Sequence, residues 1–150
     1  MNKKALTETD IRTKFITPAI AGTNGEKWNV MTQIREEAYF TKGRAIVRGK
    51  TVKRGEARKA DYLLFYKPNI PIAVVEVKDN NHSVGAGMQQ ALEYAEILDV
   101  PFAYSSNGDA FLEHDRTGTT GQGIHGADID GRVSGAGGAQ TCRVIQKERR

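Results

Sequence analysis

Residues 59–79 read KADYLLFYKPNIPIAVVEVKD, and this stretch decides both the fold and the candidate chemistry of the chain. Asp61 begins one apolar run, and Glu76 and Lys78 lie near the end of a second. Side chains on a strand alternate between its two faces, so Glu76 and Lys78 are expected on one side and Val77 on the other. Two neighbouring strands are thus predicted to present two carboxylates and one ammonium in a compact site.

The gross composition indicates one soluble globular domain. The 150 residues are 39% hydrophobic and 27% charged, and the formal net charge of +4 is compatible with a polyanionic partner without demonstrating one. No apolar run is long enough for a transmembrane helix and the first ten residues do not resemble a signal peptide, so a cytoplasmic location is expected. Cys142 is the sole cysteine, which excludes an intrachain disulfide and a cysteine-rich metal site.

Hydrophobic periodicity predicts an α/β fold with a mixed central sheet flanked by helices. Helices are predicted over residues 7–21 and 84–98. Strands are predicted over residues 31–41, 45–48, 61–66, 72–78, 102–105 and 110–113. The run at 72–78 is almost continuously apolar, which is typical of a central strand buried on both faces. The polar and basic stretch 49–59 is predicted to be a loop or a ragged strand end.

The character of the sequence changes near residue 117. Residues 1–116 are predicted to form one folded domain, whereas residues 117–150 are dense in glycine and show almost no apolar periodicity. Such a segment buries too little apolar surface to offset the entropy of ordering, so we expect a flexible tail. The abrupt change suggests a truncated or frame-shifted coding sequence as a hypothesis. Sequencing further along the source gene tests it, and a natural stop with the same tail in relatives would refute it.

The three charges of the opening stretch follow the pattern Asp, spacer, Glu-x-Lys, which suits phosphodiester cleavage. Mg²⁺ takes oxygen ligands, and Asp61, Glu76 and the Val77 carbonyl can supply them. The metal would polarise a phosphoryl oxygen and activate a bound water, while Lys78 would assist the attacking water or stabilise the transition-state charge. The competing interpretation is that these are ordinary solvent-facing charges. We favour the metal site because charges at the end of a buried strand are costly unless they are paired or metal-bound.

Several segments together resemble the PD-(D/E)xK nuclease superfamily and, more closely, the N-terminal nuclease domain of the restriction (R) subunit of type I restriction enzymes. The segments are LTETDIR at 6–12, TQIREEAYFTKGR at 32–44, the core from 59 to 98, and SSNGDAFLEHDRTG at 105–118. The resemblance covers residues 3 to about 118. It departs from the superfamily pattern at Ala60, where a proline often precedes the aspartate. That proline shapes the backbone rather than the chemistry. The resemblance implies a restriction-endonuclease-like fold.

The resemblance also implies supporting roles for three residues. Gln90 and Tyr94 match a Gln-x-x-x-Tyr motif and share one helix face. Gln90 would hydrogen-bond a phosphate or orient a catalytic group, and Tyr94 would contact DNA. Spacing alone is equally that of an ordinary polar pair. Glu8 occupies the place of an acidic residue that related nucleases direct at the metal, and the alternative is a glutamate that favours the helix dipole.

A basic stretch precedes Asp61, and we expect it either to hold DNA phosphates or to be a solvated face. Its members are Arg44, Arg48, Lys50, Lys53, Arg54, Arg58 and Lys59. Arg54, Arg58 and Lys59 are the ones placed nearest the site, and they are our candidate DNA-binding residues.

The resemblance implies Mg²⁺-dependent endonucleolytic cleavage of double-stranded DNA, with Mn²⁺ as a possible substitute. It also implies methyltransferase and specificity subunits as partners and an ATP-driven translocase elsewhere in the R subunit. No Walker motif occurs in this sequence, so ATP enters only through that motor. Two alternatives stay open. One is a repair or recombination nuclease of the same superfamily, and the other is a non-catalytic remnant that keeps DNA or subunit contacts.

Overall fold

A computed structural model describes residues 2–22, 24, 27–42, 57–117 and 142–146. The centre of the fold is a six-stranded sheet whose strands lie side by side in chain order. The strands are β1 Ile34–Thr41, β2 Ala57–Lys67, β3 Ile70–Val77, β4 Phe102–Ser106, β5 Ala110–Asp115 and β6 Cys142–Gln146.

The sheet is mixed because one of its connections runs through a helix. β3 and β4 pair in parallel, with Glu76 opposite Ser105, and α3 Met88–Leu98 supplies the crossover that parallel neighbours need. The other neighbouring pairs are antiparallel. The predicted α/β fold with a mixed, helix-flanked sheet is confirmed.

One face of the sheet packs against α3. Phe40, Leu63 and Val74 are buried on this face beneath Ala91 and Tyr94 of the helix. The ring of Tyr94 meets Phe40 edge-on, with ring centroids 5.0 Å apart and planes at 78°. This packing fixes the rotation of α3 about its axis, and therefore fixes which helix residues point toward the carboxyl end of β3.

The opposite face packs against an N-terminal helical segment that covers residues 8–21. It consists of α1 Glu8–Ile11, a π-helical stretch Arg12–Ile16 and α2 Thr17–Ala21. It lies within the helix predicted over residues 7–21, and a capping box between Thr7 and Asp10 starts it. Pro18, near the start of α2, has no N–H to donate to a helical hydrogen bond. The π-helical stretch, with its wider hydrogen-bond spacing, ends two residues before it. Among the described helices, none has both the length and the apolar character that crossing a bilayer requires.

This helical segment covers the second face through a row of isoleucines. Ile11, Ile16 and Ile20 are buried against β2 and β3, where Tyr62 and Val77 are among their partners. Burial of each isoleucine contributes about 1.5–3 kcal/mol relative to exposure. The first turn of α1 is thereby held close to the carboxyl end of β3.

The regular alternation of side chains between the two faces of the sheet is interrupted once in β1 and once in β2. Ile34 packs on the N-terminal helical face, whereas Phe40 packs on the α3 face. Likewise, Tyr62 packs on the N-terminal helical face and Ala60 packs on the α3 face. Regular alternation would keep each pair on one side, because the positions of its two members differ by an even number. The reversal in β1 coincides with Glu37, whose φ of 49° is unusual for a residue with a side chain.

Two strand boundaries differ from the sequence prediction. β2 begins at Ala57, so residues 57–59, which were expected in a loop or a ragged strand end, pair with residues 39–41 of β1. β1 begins at Ile34 rather than at residue 31, because Asn29 accepts hydrogen bonds from the N–H groups of Met31 and Thr32 in a preceding turn. The predicted strand at 45–48 lies outside the described residues.

The helix predicted from residue 84 begins four residues later. Residues 84–87 form turns, and α3 starts at Met88 after Gly87. The apolar spacing of Val84 fits the helical stripe, but its carbonyl accepts a hydrogen bond from the Ser105 hydroxyl at 2.7 Å. A contact from a distant strand thus sets the helix start.

The segment predicted as a flexible tail contains a strand. β6 pairs with β5, with Cys142 opposite His114 and Gln146 opposite Ala110. Apolar or β-branched residues at 142, 144 and 145 favour a strand, and the glycine-rich surroundings concealed this signal. The rest of residues 118–150 lies outside the described residues, so a domain boundary near residue 116 stays a prediction.

Candidate active site

Asp61 and Glu76 lie opposite each other at the carboxyl end of β3. The antiparallel register that pairs Tyr62 with Val75 brings them together one step further along. The Val77 N–H donates to Asp61 Oδ2 at 2.8 Å, and the Asp61 N–H donates to Glu76 Oε1 at 3.2 Å. Both residues are buried, with exposed fractions of 9% and 4%. The sequence prediction that these carboxyl groups converge therefore agrees with the geometry.

The two carboxyl groups cannot both carry a charge cheaply in this position. The pKa of Glu76 is raised to about 8. Burial is the largest cause, repulsion from Asp61 is the next, and the positive charge of Lys78 has a smaller, lowering effect. At neutral pH, the raised pKa of Glu76 thus favours keeping one proton on the carboxyl pair.

Lys78 follows directly after β3 and borders the same site. Its N–H donates to the Ser106 carbonyl at 2.9 Å, which extends the parallel pairing by one residue. The side chain is half-buried, and its positive charge lowers the pKa of both Glu76 and Glu8. Lys78 thus lies within electrostatic range of the carboxylates, as expected for a residue that acts on the same substrate.

Glu8 approaches the site from the first turn of α1. Partial burial is the largest cause that raises the pKa of Glu8, and repulsion from Asp61 is the next. Lys78 lowers this pKa and Asp79 raises it, both by smaller amounts. The N-terminal helical segment therefore brings a third carboxylate into range of Asp61. The part of the chain that the structure describes holds no group of three or more His, Cys, Asp or Glu side chains already arranged around one metal position.

The donor set nevertheless fits a small hard cation. Asp61 and Glu76 offer carboxylate oxygens, and two buried carboxyl groups that repel each other are the arrangement a divalent cation relieves. Mg²⁺ retains several waters and needs only one or two carboxylates from a protein. The Val77 N–H is engaged with Asp61, and a role for the Val77 carbonyl as a ligand stays a prediction.

Gln90 and Tyr94 form a hydrogen-bonded pair on α3. Gln90 Nε2 donates to the Tyr94 hydroxyl at 2.7 Å. Gln90 is exposed, but Tyr94 is only 6% exposed and its ring lies in the core against Phe40. A direct DNA contact by Tyr94, which the sequence suggested, does not suit that burial. The Tyr94 hydroxyl accepts from Gln90, and Gln90 is the exposed member of the pair.

The candidate DNA-binding residues point to different faces. The Arg58 guanidinium lies 3.9 Å from Glu93 on the α3 side, and Lys59 Nζ lies 3.5 Å from the Glu37 carboxylate on the other. Arg58 and Lys59 are successive residues of β2, so their side chains point to opposite faces of the sheet. The two residues therefore do not form one continuous basic surface. Arg54 lies outside the described residues, as do Arg44, Arg48, Lys50 and Lys53.

Sequence reasoning missed Ser105 and Gly87, which flank Glu76. Ser105 is fully buried and lies opposite Glu76 on β4, while Gly87 approaches the Glu76 side chain from the turn before α3. A serine in a short strand and a glycine before a helix carry no functional signal in one sequence. Their place became evident only from the pairing of β3 with β4.

Comparisons with known proteins agree with this architecture. The family model for the N terminus of the type I restriction enzyme R protein matches residues 44–122. The type I restriction enzyme EcoAI endonuclease subunit of Escherichia coli is 47% identical over 122 residues, which is 81% of this chain and 15% of that protein.

A solved structure is also similar. It is a fragment assigned to the HsdR subunit of a type I restriction enzyme from Vibrio vulnificus YJ016, with 48% identity and a TM-score of 0.60. The match covers 75% of this chain and 21% of that one. The chain thus spans about a fifth or less of the relatives it matches. It belongs to the family of N-terminal regions of type I restriction enzyme R proteins.

Proposed function

We propose that this chain is the DNA-cleaving part of a type I restriction R subunit and hydrolyses phosphodiester bonds of double-stranded DNA with Mg²⁺. The observation that carries the proposal is the buried pair of Asp61 and Glu76, each bonded to the backbone of the other's strand, with Lys78 beside it. Burying two neighbouring carboxyl groups is unfavourable for stability, and carboxyl groups with a perturbed pKa cluster at functional sites.

Each residue of the site has a role that follows from its position. Asp61 and Glu76 would hold the cation, with the Val77 carbonyl as a further oxygen donor and Glu8 facing its water shell. The cation would polarise a phosphoryl oxygen and lower the pKa of a bound water. Lys78 would donate to the attacking water or to the charge that develops on phosphorus. Mn²⁺ has similar ligand preferences and is expected to substitute.

Gln90 would make the outermost contact of the site. Its amide is exposed and is oriented by the hydrogen bond to Tyr94, so it is available to a DNA phosphate or a catalytic water. Arg58 and Lys59 would contribute charge on either side of β2, and Arg54 would extend the same basic segment.

The rest of the restriction system would supply target choice and movement. The relatives are several times longer than this chain, and no Walker motif occurs here, so an ATP-driven translocase would lie elsewhere in the subunit. Methyltransferase and specificity subunits would select the site and protect host DNA.

A non-catalytic role is the second candidate. The carboxyl pair is satisfied without a cation, because one proton and two backbone N–H groups stabilise it. The fold could therefore persist as a DNA-contacting or subunit-contacting module that does not cut.

Nicking of supercoiled plasmid tests the proposal. The chain is incubated with an excess of Mg²⁺ and compared with Asp61→Ala and Lys78→Ala. Lys14→Ala is the matched control, because Lys14 is an exposed lysine that pairs with Asp10 on the same helical segment. We expect both site variants to lose activity and the control to retain it.

A second measurement covers the case of an isolated chain that does not cut. Calorimetric titration with Mg²⁺ and Mn²⁺ compares the unmodified chain with Glu76→Ala. Binding that disappears in the variant supports the metal site. Nicking that survives both Asp61→Ala and Lys78→Ala, or equal cation binding by Glu76→Ala, would refute the site assignment.

A further inference from the structure

A tight turn lies directly over Glu76 and is fastened there by one buried serine. Ser105 is fully buried on β4 and pairs with Glu76 in the parallel register. Its hydroxyl accepts from the Gly87 N–H at 3.0 Å and donates to the Val84 carbonyl at 2.7 Å. The two hydrogen bonds attach both ends of the turn at 84–87 to the strand beside Glu76.

Position 87 favours glycine because neighbouring side chains leave little space for a Cβ atom, and not because of its backbone conformation. Its φ of −89° and ψ of −1° are open to any residue. A Cβ built there would lie 3.2 Å from the Cβ of Glu76 and 3.1 Å from the Ser105 Oγ. The missing side chain therefore allows the start of α3 to approach the carboxylate-bearing residue.

The same contacts limit where the Glu76 carboxyl group can go. On one side it accepts from the Asp61 N–H, and on the other its stem meets Gly87 and the serine that holds Gly87. A buried glutamate has several rotamers, and loss of this freedom is part of what a preformed site requires. Neither Ser105 nor Gly87 is among the proposed ligands of the cation.

We propose that Ser105 and Gly87 are positioning residues for Glu76, which preset its carboxyl group for cation binding; this rests on the proposed function. Residues that orient a metal ligand typically change metal affinity about 10–100-fold when they are altered. Ser105→Ala leaves the Gly87 N–H and the Val84 carbonyl without this partner, and Gly87→Ala pushes the turn away from Glu76.

The chain contains a matched control for each variant. Ser106 is also fully buried, and its hydroxyl likewise donates to one carbonyl, that of Ala110 at 2.7 Å, and accepts from one N–H, that of Gly108 at 3.2 Å. Gly85 lies in the same turn as Gly87, and a Cβ there would meet the tip of Leu112 at 3.0 Å instead of Glu76. Ser106→Ala and Gly85→Ala therefore reproduce the loss and the crowding without acting on Glu76.

The experiment measures Mn²⁺ affinity by electron paramagnetic resonance and Mg²⁺ affinity by calorimetry for the full chain and the four variants, together with thermal unfolding. We expect Ser105→Ala and Gly87→Ala to weaken cation binding by about 10-fold or more. Ser106→Ala and Gly85→Ala are expected to bind within about twofold of the unmodified chain, although their melting temperatures fall by a similar amount.

The outcomes separate this inference from the proposed function. Failure of the unmodified chain to bind either cation overturns the metal site and this inference with it. Normal binding by the unmodified chain and by Gly87→Ala and Ser105→Ala overturns only the inference. Equal weakening in all four variants also overturns it, because a general loosening of the fold would then explain the effect.

Discussion

Replacing Glu76 by glutamine removes the most unfavourable charge of the site while keeping its shape. The amide oxygen can accept from the Asp61 N–H as Glu76 Oε1 does, and the amide N–H₂ can donate to the Asp61 carboxylate. Without a cation, Glu76→Gln should therefore stabilise the protein at alkaline pH, although it removes a proposed metal ligand.

The pKa of Glu76 sets the size and the sign of this effect. The pKa is raised from 4.5 to about 8, so the folded state binds a proton that the unfolded state has already released in that range. This contribution to stability is complete below pH 4.5 and is lost as the pH rises to about 8. Each tenfold change in proton affinity is worth about 1.4 kcal/mol, so up to about 4 kcal/mol is lost between about pH 5 and pH 9.

Urea unfolding at several pH values, with a chelator present, checks the prediction. The unmodified chain should lose stability with rising pH relative to Glu76→Gln, and the difference should approach about 4 kcal/mol at the alkaline end. Glu96→Gln, which removes an exposed glutamate from α3, is the control and should follow the unmodified chain. Saturating Mg²⁺ should restore the unmodified chain and leave Glu76→Gln unchanged, because only the former has the ligand. Parallel curves for the two proteins would refute the burial argument.

Three further substitutions test the surroundings of the site. Tyr94→Phe keeps the contact with Phe40 but loses the bond from Gln90, so nicking should fall with a stability loss of only about 0.5–1.5 kcal/mol; unchanged nicking would contradict the orienting role. Glu37→Val should destabilise the protein by about 1–3 kcal/mol more than Glu37→Gly, since a β-branched residue resists the positive φ, and equal urea midpoints would argue against strain there. Ile11→Ala should cost about 2–5 kcal/mol in urea unfolding, and a smaller loss would mean that the N-terminal helical segment is weakly held.

The strands that carry the candidate site could be predicted because their signals are local. The apolar runs before and after Pro68 specify a hairpin, and its antiparallel register is sufficient to bring Asp61 opposite Glu76. The place of Lys78 follows from its position two residues after Glu76. The convergence of these residues thus needs only strand periodicity and a short connection.

The features that the sequence did not reveal all depend on contacts between distant segments. The start of α3 is set by Ser105, which lies 18 residues beyond Gly87. The reversal of faces near Glu37 breaks the strict alternation on which strand prediction rests. The sequence suggested a DNA contact for Tyr94, and only its packing on Phe40 reveals that it is buried. No single-sequence pattern encodes such pairings.

The backbone hydrogen bonds of the carboxyl pair would let the proposed cation site keep its shape whether or not a cation is bound. Asp61 Oδ2 and Glu76 Oε1 each accept from the backbone of the opposite strand, so the hairpin itself holds one oxygen of each carboxyl group in place. The proton on Glu76 balances the remaining repulsion, and a divalent cation would balance it by the same electrostatic route. If the proposed function holds, cation binding would release the proton of this pair. We therefore expect cation affinity to rise with pH up to the pKa of Glu76, about 8.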